Sequence, residues 1–376
     1  MPSVFLDDFP EPDRIEGAPH PRETAHLYGH AAAQADFLAS YRAGRLHHAW
    51  LITGPRGLGK ATLAWKLARF LLATPADDGG MFAPPPPETL DIPADHPVAR
   101  RIAALSEPRL YLLRRGLNES EKAVAQDILV KEVRLLKEYF ALSAADGGRR
   151  VAIVDSADDM NVSAANALLK LLEEPPGNVT FFLISHQPSR LLPTIRSRCR
   201  ELRLSPLAAG DMAAALDQAG TAIDDAQAMA ELAGGSVGEA LRMIHLDGLE
   251  LYGKLVTLLG ALPRMDRPRL LTLAETGTGK GNEAKFDLMV SLIDLMLARL
   301  ARAGTLGMTP PEAAQGEAAL LARLSPDPWA ARAWADLAQS LSARARRGKA
   351  VNLDPAALLM DMFLQIEQTA AMLAAR

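Results

Sequence analysis

Gly54-Pro55-Arg56-Gly57-Leu58-Gly59-Lys60 has the spacing G-x-x-x-x-G-K, and it lies between the apolar run Ala49–Thr53 and a helical pattern over Leu63–Leu72. In a strand–loop–helix setting such glycines let backbone N–H groups wrap a phosphate at a helix N-terminus, and the lysine adds a point charge. Gly54, Gly57, Gly59 and Lys60 are the candidate phosphate ligands, and ATP or ADP is the ligand such a loop would take. A hydroxyl directly after the lysine would coordinate Mg²⁺. Ala61 stands there instead, with Thr62 one position later and about 100° round the helix. The phosphate ligands remain, whereas metal placement is weakened.

Val151-Ala152-Ile153-Val154-Asp155 reads as a buried strand ending in a carboxylate, the form that holds Mg²⁺ through ordered water. Asp155 joins the cofactor-binding set with Thr62. In many P-loop enzymes the next residue is a Glu that activates the attacking water; here it is Ser156, so the predicted site lacks a base. Asp158 and Asp159 are read as helix-start or solvated acids. A second stretch, Thr276 to Gly281, looks phosphate-binding. It has Ala274 at the first-glycine position, Gly281 in place of the hydroxyl and no strand before it, so it is read as an interhelical turn.

The elements that must position these residues alternate. Between Gly29 and about Pro206 helical patterns are interleaved with the runs Ala49–Thr53, Leu110–Leu113, Val151–Val154, Val179–Ile184 and Glu201–Leu204. Such alternation predicts a mainly parallel sheet covered by helices. A Pro-rich stretch, Pro75 to Pro97, is incompatible with helix interior or central strand and reads as a surface insertion, about 73–128 in all. No strand pattern follows Pro206. The fold class is therefore α/β followed by all-α. Residues 1–206 form the phosphate-loop domain, 207–247 a small helical lid and 248–376 a helical bundle. In the last of these Phe286, Met289, Ile293, Leu297 and Leu300 share a face, as do Leu359, Phe363, Ile366 and Leu373.

Composition narrows the class. The chain has 376 residues, 49% hydrophobic and 23% charged, which is ordinary globular usage. Its net charge of −4 argues against a free-standing nucleic-acid binder, and its one cysteine, Cys199, excludes an intramolecular disulfide or a multi-thiolate zinc site. The most apolar helical stretch, Phe286 to Leu300, is broken by Asp287, Asp294 and Arg299, so no membrane span is expected. The N-terminus carries acids early and no basic region before an apolar core; cytoplasmic placement is the default expectation. The basic segment Arg344 to Lys349 reads as a solvated helix end.

With these residues in hand, the chain resembles the clamp-loader branch of the AAA+ ATPases. The resemblance is carried by Gly44-Arg45-Leu46-His47-His48-Ala49-Trp50 before the loop and by the helix Asn166 to Pro176 with its Leu-Leu-Lys-Leu-Leu-Glu-Glu-Pro-Pro sequence. Phe181 to Pro188, with Ser185 and His186 at its polar end, resembles the sensor-1 strand, and Ser197-Arg198-Cys199 matches the family's S-R-C motif. The resemblance implies that the last domain is an oligomerising collar, that Ser185 faces the nucleotide, and that Arg198 is a finger reaching a neighbouring subunit's ATP. It also implies partners: gamma/tau motor ATPases, a delta subunit and, through them, a sliding clamp and primer-template DNA in a replicative polymerase holoenzyme.

Against the motor subunits the chain departs in three places. Ala61 and Ser156 are two; Gly238 stands where the resemblance implies a sensor-2 arginine. The four-cysteine zinc module of many relatives is also missing, since Leu72 to Lys131 holds no cysteine. The reading that follows is a subunit without turnover of its own that completes a neighbour's site. The alternative is an active ATPase of the gamma/tau type, with Thr62 or water supplying the missing ligand. An unrelated P-loop kinase has no use for the helical C-terminal third.

Overall fold

The computed structural model describes residues 11, 14–15, 17–24, 26–74, 85–117, 124–142, 148–276 and 282–375. It divides into two units, residues 1–222 with 236–238 and residues 223–235 with 239–376.

In the first unit, the five apolar runs become strands: β1 (Ala49–Thr53), β2 (Leu110–Arg114), β3 (Arg150–Asp155), β4 (Val179–Ser185) and β5 (Arg200–Arg203). They form one sheet in the order β2-β3-β4-β1-β5, every pairing parallel. The apolar runs mark the buried centres, and the ladders reach polar residues at the ends, so that β3 finishes on Asp155 and β4 on Ser185. Thr53 lies opposite Ser185 on one side and Arg203 on the other.

Helices cover both faces, α1 (Ala31–Arg42), α2 (Lys60–Ala73) and α3 (Pro97–Ala103) on one and α4 (Val130–Leu142), α5 (Val162–Glu173) and α6 (Pro193–Arg196) on the other, and α7 (Ala209–Gln218) follows β5. Side chains alternate between the two cores. Trp50, Ile52, Phe182 and Ile184 pack with Phe37, Leu63, Phe70 and Ile102, whereas Ala49, Leu51, Phe181 and Leu183 pack with Leu136, Phe140, Leu168 and Ile195. A parallel sheet buried on both faces needs such continuous apolar strands. This is the α/β class predicted.

The helix after the loop is buried on nearly every side. Along α2, Lys60, Leu63 through Ala68 and Phe70 through Leu72 are all buried. Its outer side is covered by the insertion: Leu90, Val98 and Ile102 join its core, and buried Lys66 pairs with Asp91 at 2.6 Å. Residues 85–96 contain neither helix nor strand, and His96 with Pro97 starts α3, His96 Nδ1 accepting from the Val98 amide at 3.2 Å. The rest of the Pro-rich stretch, 75–84, lies outside the described residues.

The second unit is helical throughout its described residues: α8 (Ala226–Leu232), α9 (Val237–His245), α10 (Gly248–Gly260), α11 (Arg267–Glu275), α12 (Glu283–Leu306), α13 (Glu317–Leu324), α14 (Pro328–Ala350) and α15 (Pro355–Ala374). The first residues of α9 belong to the 236–238 stretch of the first unit. Phe286, Met289, Ile293, Leu297 and Leu300 are buried as their spacing requires, and so are Leu359, Phe363 and Ile366. Asp354 caps α15 through the Ala357 amide, ahead of Pro355. Gly304 lets α12 approach the start of α14: a Cβ there would lie 2.7 Å from the Asp327 carbonyl. Arg299, the charge that interrupts the apolar stretch, is buried against Glu317 at 2.5 Å, and Tyr252 donates to the same carboxylate at 2.6 Å. Two of the basic residues near the end of α14 are paired, Arg344 with Asp361 and Lys349 with Asp287. The turn read at 276–281 lies, beyond Thr276, outside the described residues. No described helix is long and apolar enough to cross a membrane.

Candidate functional site

The loop leaves β1 at Gly54 and enters α2 at Lys60, with positive φ at Gly54 (143°), Gly57 (74°) and Gly59 (87°). Two of these glycines are also sites of close approach. A Cβ on Gly54 would lie 2.8 Å from the Leu204 carbonyl, and one on Gly57 would lie 2.2 Å from Ser236 Oγ. Only glycine meets both demands.

Every carbonyl of the loop is held by a donor. Lys60 Nζ donates to Gly54 O at 2.7 Å and also to Pro55 O. Ser236 Oγ donates to Arg56 O at 3.0 Å and the Gly238 amide to Gly57 O at 3.1 Å. His30 Nε2 bonds Leu58 O at 2.8 Å, and the Leu63 amide donates to Gly59 O at 2.9 Å. The amides of Gly57, Leu58 and Gly59 make no hydrogen bond among the described residues. With its carbonyls tied back and its amides left as donors, the loop presents partial positive charge, the arrangement that binds anions. Lys60 adds a full charge at a cost. Burial pushes its pKa down to about 8, against the raising influence of Asp155 and Asp158.

At the carboxyl ends of β3 and β4 the structure brings Asp155, Ser156, Asp158, Ser185 and His186 to the same edge as the loop. Asp158 stands at a helix start, as read, and is not a solvated acid. It is buried in a 3₁₀ turn, its Oδ1 accepts from Ser185 Oγ at 2.6 Å, and its Oδ2 accepts from the amides of His186 and, at 3.0 Å, Gln187. It thereby ties the end of β3 to the end of β4, and Ser185 is spent on that bond. Sequence reasoning missed Asp158 because its partners belong to a strand that only the sheet order makes a neighbour. Asp159 is the more exposed of the two and pairs with Arg115 at 3.3 Å. Burial, together with Lys60 and Arg56, lowers the His186 pKa to about 4, so the ring is neutral at pH 7.

Gly238 carries a physical reason for its type. A Cβ there would lie 2.9 Å from Gly57 Cα, so backbone abuts backbone where a side chain was implied. Thr62 sits half-buried on α2, and Ala61 packs against the core beside the loop. The Mg²⁺ that such a loop implies would find Asp155 and no hydroxyl at 61; the donor set is one short of the usual pair. No group of three or more His, Cys, Asp or Glu among the described residues is arranged to hold a metal ion.

Arg198 is not brought to this edge. It stands between α6 and β5, about one-third exposed, pairs with Glu173 at 2.8 Å and donates to Thr194 O at 3.0 Å. Neighbouring Cys199 is half-buried against the core, and burial pushes its thiol up to about 12, which leaves it inert. His47 and His48 are stacked and satisfied by backbone, His47 Nδ1 at Ala49 and His48 Nε2 at Leu172 O.

Comparison with known proteins bears on the same residues. A family profile described as "DNA polymerase III, delta subunit" matches residues 29–208. The chain is 40% identical over 205 residues to DNA polymerase III subunit delta' of Pseudomonas aeruginosa, covering 54% of this chain and 56% of that one. It is 34% identical over 211 residues to subunit delta' of Escherichia coli, covering 56% and 58%. To subunit gamma/tau of Mycobacterium tuberculosis it is 30% identical over 219 residues, covering 55% of this chain and 33% of that one. The chain thus spans just over half the length of the delta' proteins it matches.

Proposed function

We propose that this relative of the DNA polymerase III delta' subunits is itself a delta' subunit, a clamp-loader component that completes a neighbour's ATPase site instead of running one. The observation that carries the reading is the contrast between two places in the first unit. At the phosphate loop the chain keeps the phosphate-binding backbone and Lys60 but presents Ala61 and Ser156 where a metal hydroxyl and a base belong. At the S-R-C segment Arg198 is about one-third exposed and, among the described residues, is held by one ion pair and one carbonyl.

The chemistry follows from those contacts. An exposed Arg–Glu pair is worth about 0–1 kcal/mol, so leaving Glu173 for the phosphates of an adjoining subunit costs little. There the planar guanidinium offers several donors to the equatorial oxygens of the transferring phosphoryl group, whose charge grows in the transition state. Within the chain itself, Ser156 has no carboxylate with which to draw a proton from water, so nucleotide held at the loop is not turned over.

The working unit is the assembly: this chain with gamma/tau ATPases and a delta subunit, opening a sliding clamp and placing it on primed DNA in the cytoplasm. Residues 1–206 act as the AAA+ module, 207–247 as its lid and 248–376 as the collar. The motor-subunit alternative relies on Thr62 or water for the ligand missing at 61 and has Ser156 where a base belongs, and the delta' relatives match at higher identity than the gamma/tau one. Affinity purification of the tagged full chain from its own cells, with mass spectrometry, tests the proposal. Co-purification of a gamma/tau ATPase and a delta subunit is expected; a chain that comes through alone and hydrolyses ATP overturns it.

A further inference from the structure

β2 is one edge of the sheet, with β3 and β4 between it and β1. Leu110 lies opposite Val151 of β3, and the Val151 amide donates to Arg109 O at 2.9 Å. The ladder bonds of a parallel pair fall on alternate residues, so 109, 111 and 113 face β3. The amide and carbonyl of Leu112 and the carbonyl of Leu110 therefore point out of the sheet, and among the described residues nothing bonds them.

Beside these groups, on the face toward α2, lies a cavity of about 220 Å³. It is lined by Leu110, Leu112 and Arg114 at every second position of β2, by Leu105 and Glu107 from the segment before β2, and by Trp65 of α2. Leu105, Leu110 and Leu112 are each only half-buried against the core. An apolar cavity of about 150 Å³ admits a benzene ring, so there is room here for a leucine-sized side chain. Unpaired main-chain groups next to a pocket for alternate side chains are what the addition of a further strand requires.

Charge decides which strand fits. Residues 108–117 carry Arg109, Arg114 and Arg115 and no acid. Antiparallel pairing of β2 with a second copy of itself about Leu112 would set Arg109 against Arg115 at both ends, and like charges directly opposite are unfavourable. Such an edge turns away its own kind and suits a strand that brings acids.

We propose that the edge of β2 is a docking site for an extended segment of a partner protein. The segment adds a strand beside β2, sets an apolar side chain in the cavity and carries acidic residues toward the arginines that flank it. The site uses neither the phosphate loop nor Arg198.

Selection of a random displayed-peptide library on the full chain, followed by synthesis of the enriched sequences, tests this. The expected peptides have apolar residues at alternate positions with Asp or Glu beside them. When one binds, hydrogen exchange of the Leu112 amide should slow at least about tenfold, because that amide gains an acceptor. Leu112→Pro removes the outward donor and spares the ladder to β3, since an edge strand tolerates proline where its amide faces outward; binding should weaken at least about tenfold. A second check leaves the protein unaltered. Methyl groups on alternate amide nitrogens of the peptide should abolish binding in one parity and leave it within about twofold in the other. The proposal is overturned by a library that yields no binder, by binders with helical spacing, or by bound peptides that leave Leu112 exchange unchanged. A chain that dimerises through this edge, with the dimer lost in Leu112→Pro, also overturns it.

Discussion

Gly57→Ala tests the idea that the loop is braced from outside. Two costs are read from the structure. The residue has φ 74°, where an alanine costs about 1–2 kcal/mol. Its Cβ would also lie 2.2 Å from Ser236 Oγ, with Gly238 Cα and N at 3.0 Å, so Ser236 must move and give up its bond to Arg56 O, about 1 kcal/mol more. The expected total is about 2–3 kcal/mol, read as a lowered urea midpoint with an unchanged slope, followed by fluorescence of Trp50 and Trp65, which are both in the first unit. Ser236→Ala removes the obstructing oxygen, so the double variant should fall short of the sum of the singles by about 1 kcal/mol. A Gly57→Ala chain as stable as wild type, or strict additivity with Ser236→Ala, refutes the bracing argument.

The remaining predictions concern charge. Glu317→Ala leaves the Arg299 guanidinium, 4% exposed, without its principal partner, and should destabilise the second unit by about 3–5 kcal/mol, followed by Trp334; a loss under about 1 kcal/mol would contradict the description of that network. Lys60 has a pKa lowered to about 8, and a bound phosphate favours its charged form; nucleotide affinity should therefore be nearly full at pH 7 and lower by about tenfold at pH 9, with proton uptake measurable across buffers. The fall should vanish in Lys60→Met, and a flat profile in wild type would refute it.

Much of the fold is legible in the sequence for a physical reason. A parallel strand buried on both faces has to be an uninterrupted apolar run, which marks β1, β3 and β4; the edge strands β2 and β5 are less buried, and no strand end lies more than one residue from its run. The loop is legible because glycine at φ 74° and 87° is a local demand. What is not legible depends on partners distant in sequence. The donors to Arg56 O and Gly57 O come from Ser236 and Gly238, and the donor to Leu58 O from His30. The role of Asp158 needs the knowledge that β3 and β4 are adjacent. The burial of Lys66 needs the insertion folded back over α2 through Leu90 and Asp91.

The loop is braced from Ser236 and Gly238 and has Ser156 instead of an acid after β3, and Arg198, about one-third exposed, stands away from that edge. A division of labour between subunits is the central claim, and the ATPase rate of the reconstituted assembly tests it most directly. Arg198→Ala should leave assembly intact and reduce turnover at the site it serves on the order of 10³-fold, whereas Lys60→Ala should change that rate little. An unchanged rate with Arg198→Ala in a fully assembled complex would contradict the account, as would ATP hydrolysis by the isolated chain that Lys60→Ala abolishes.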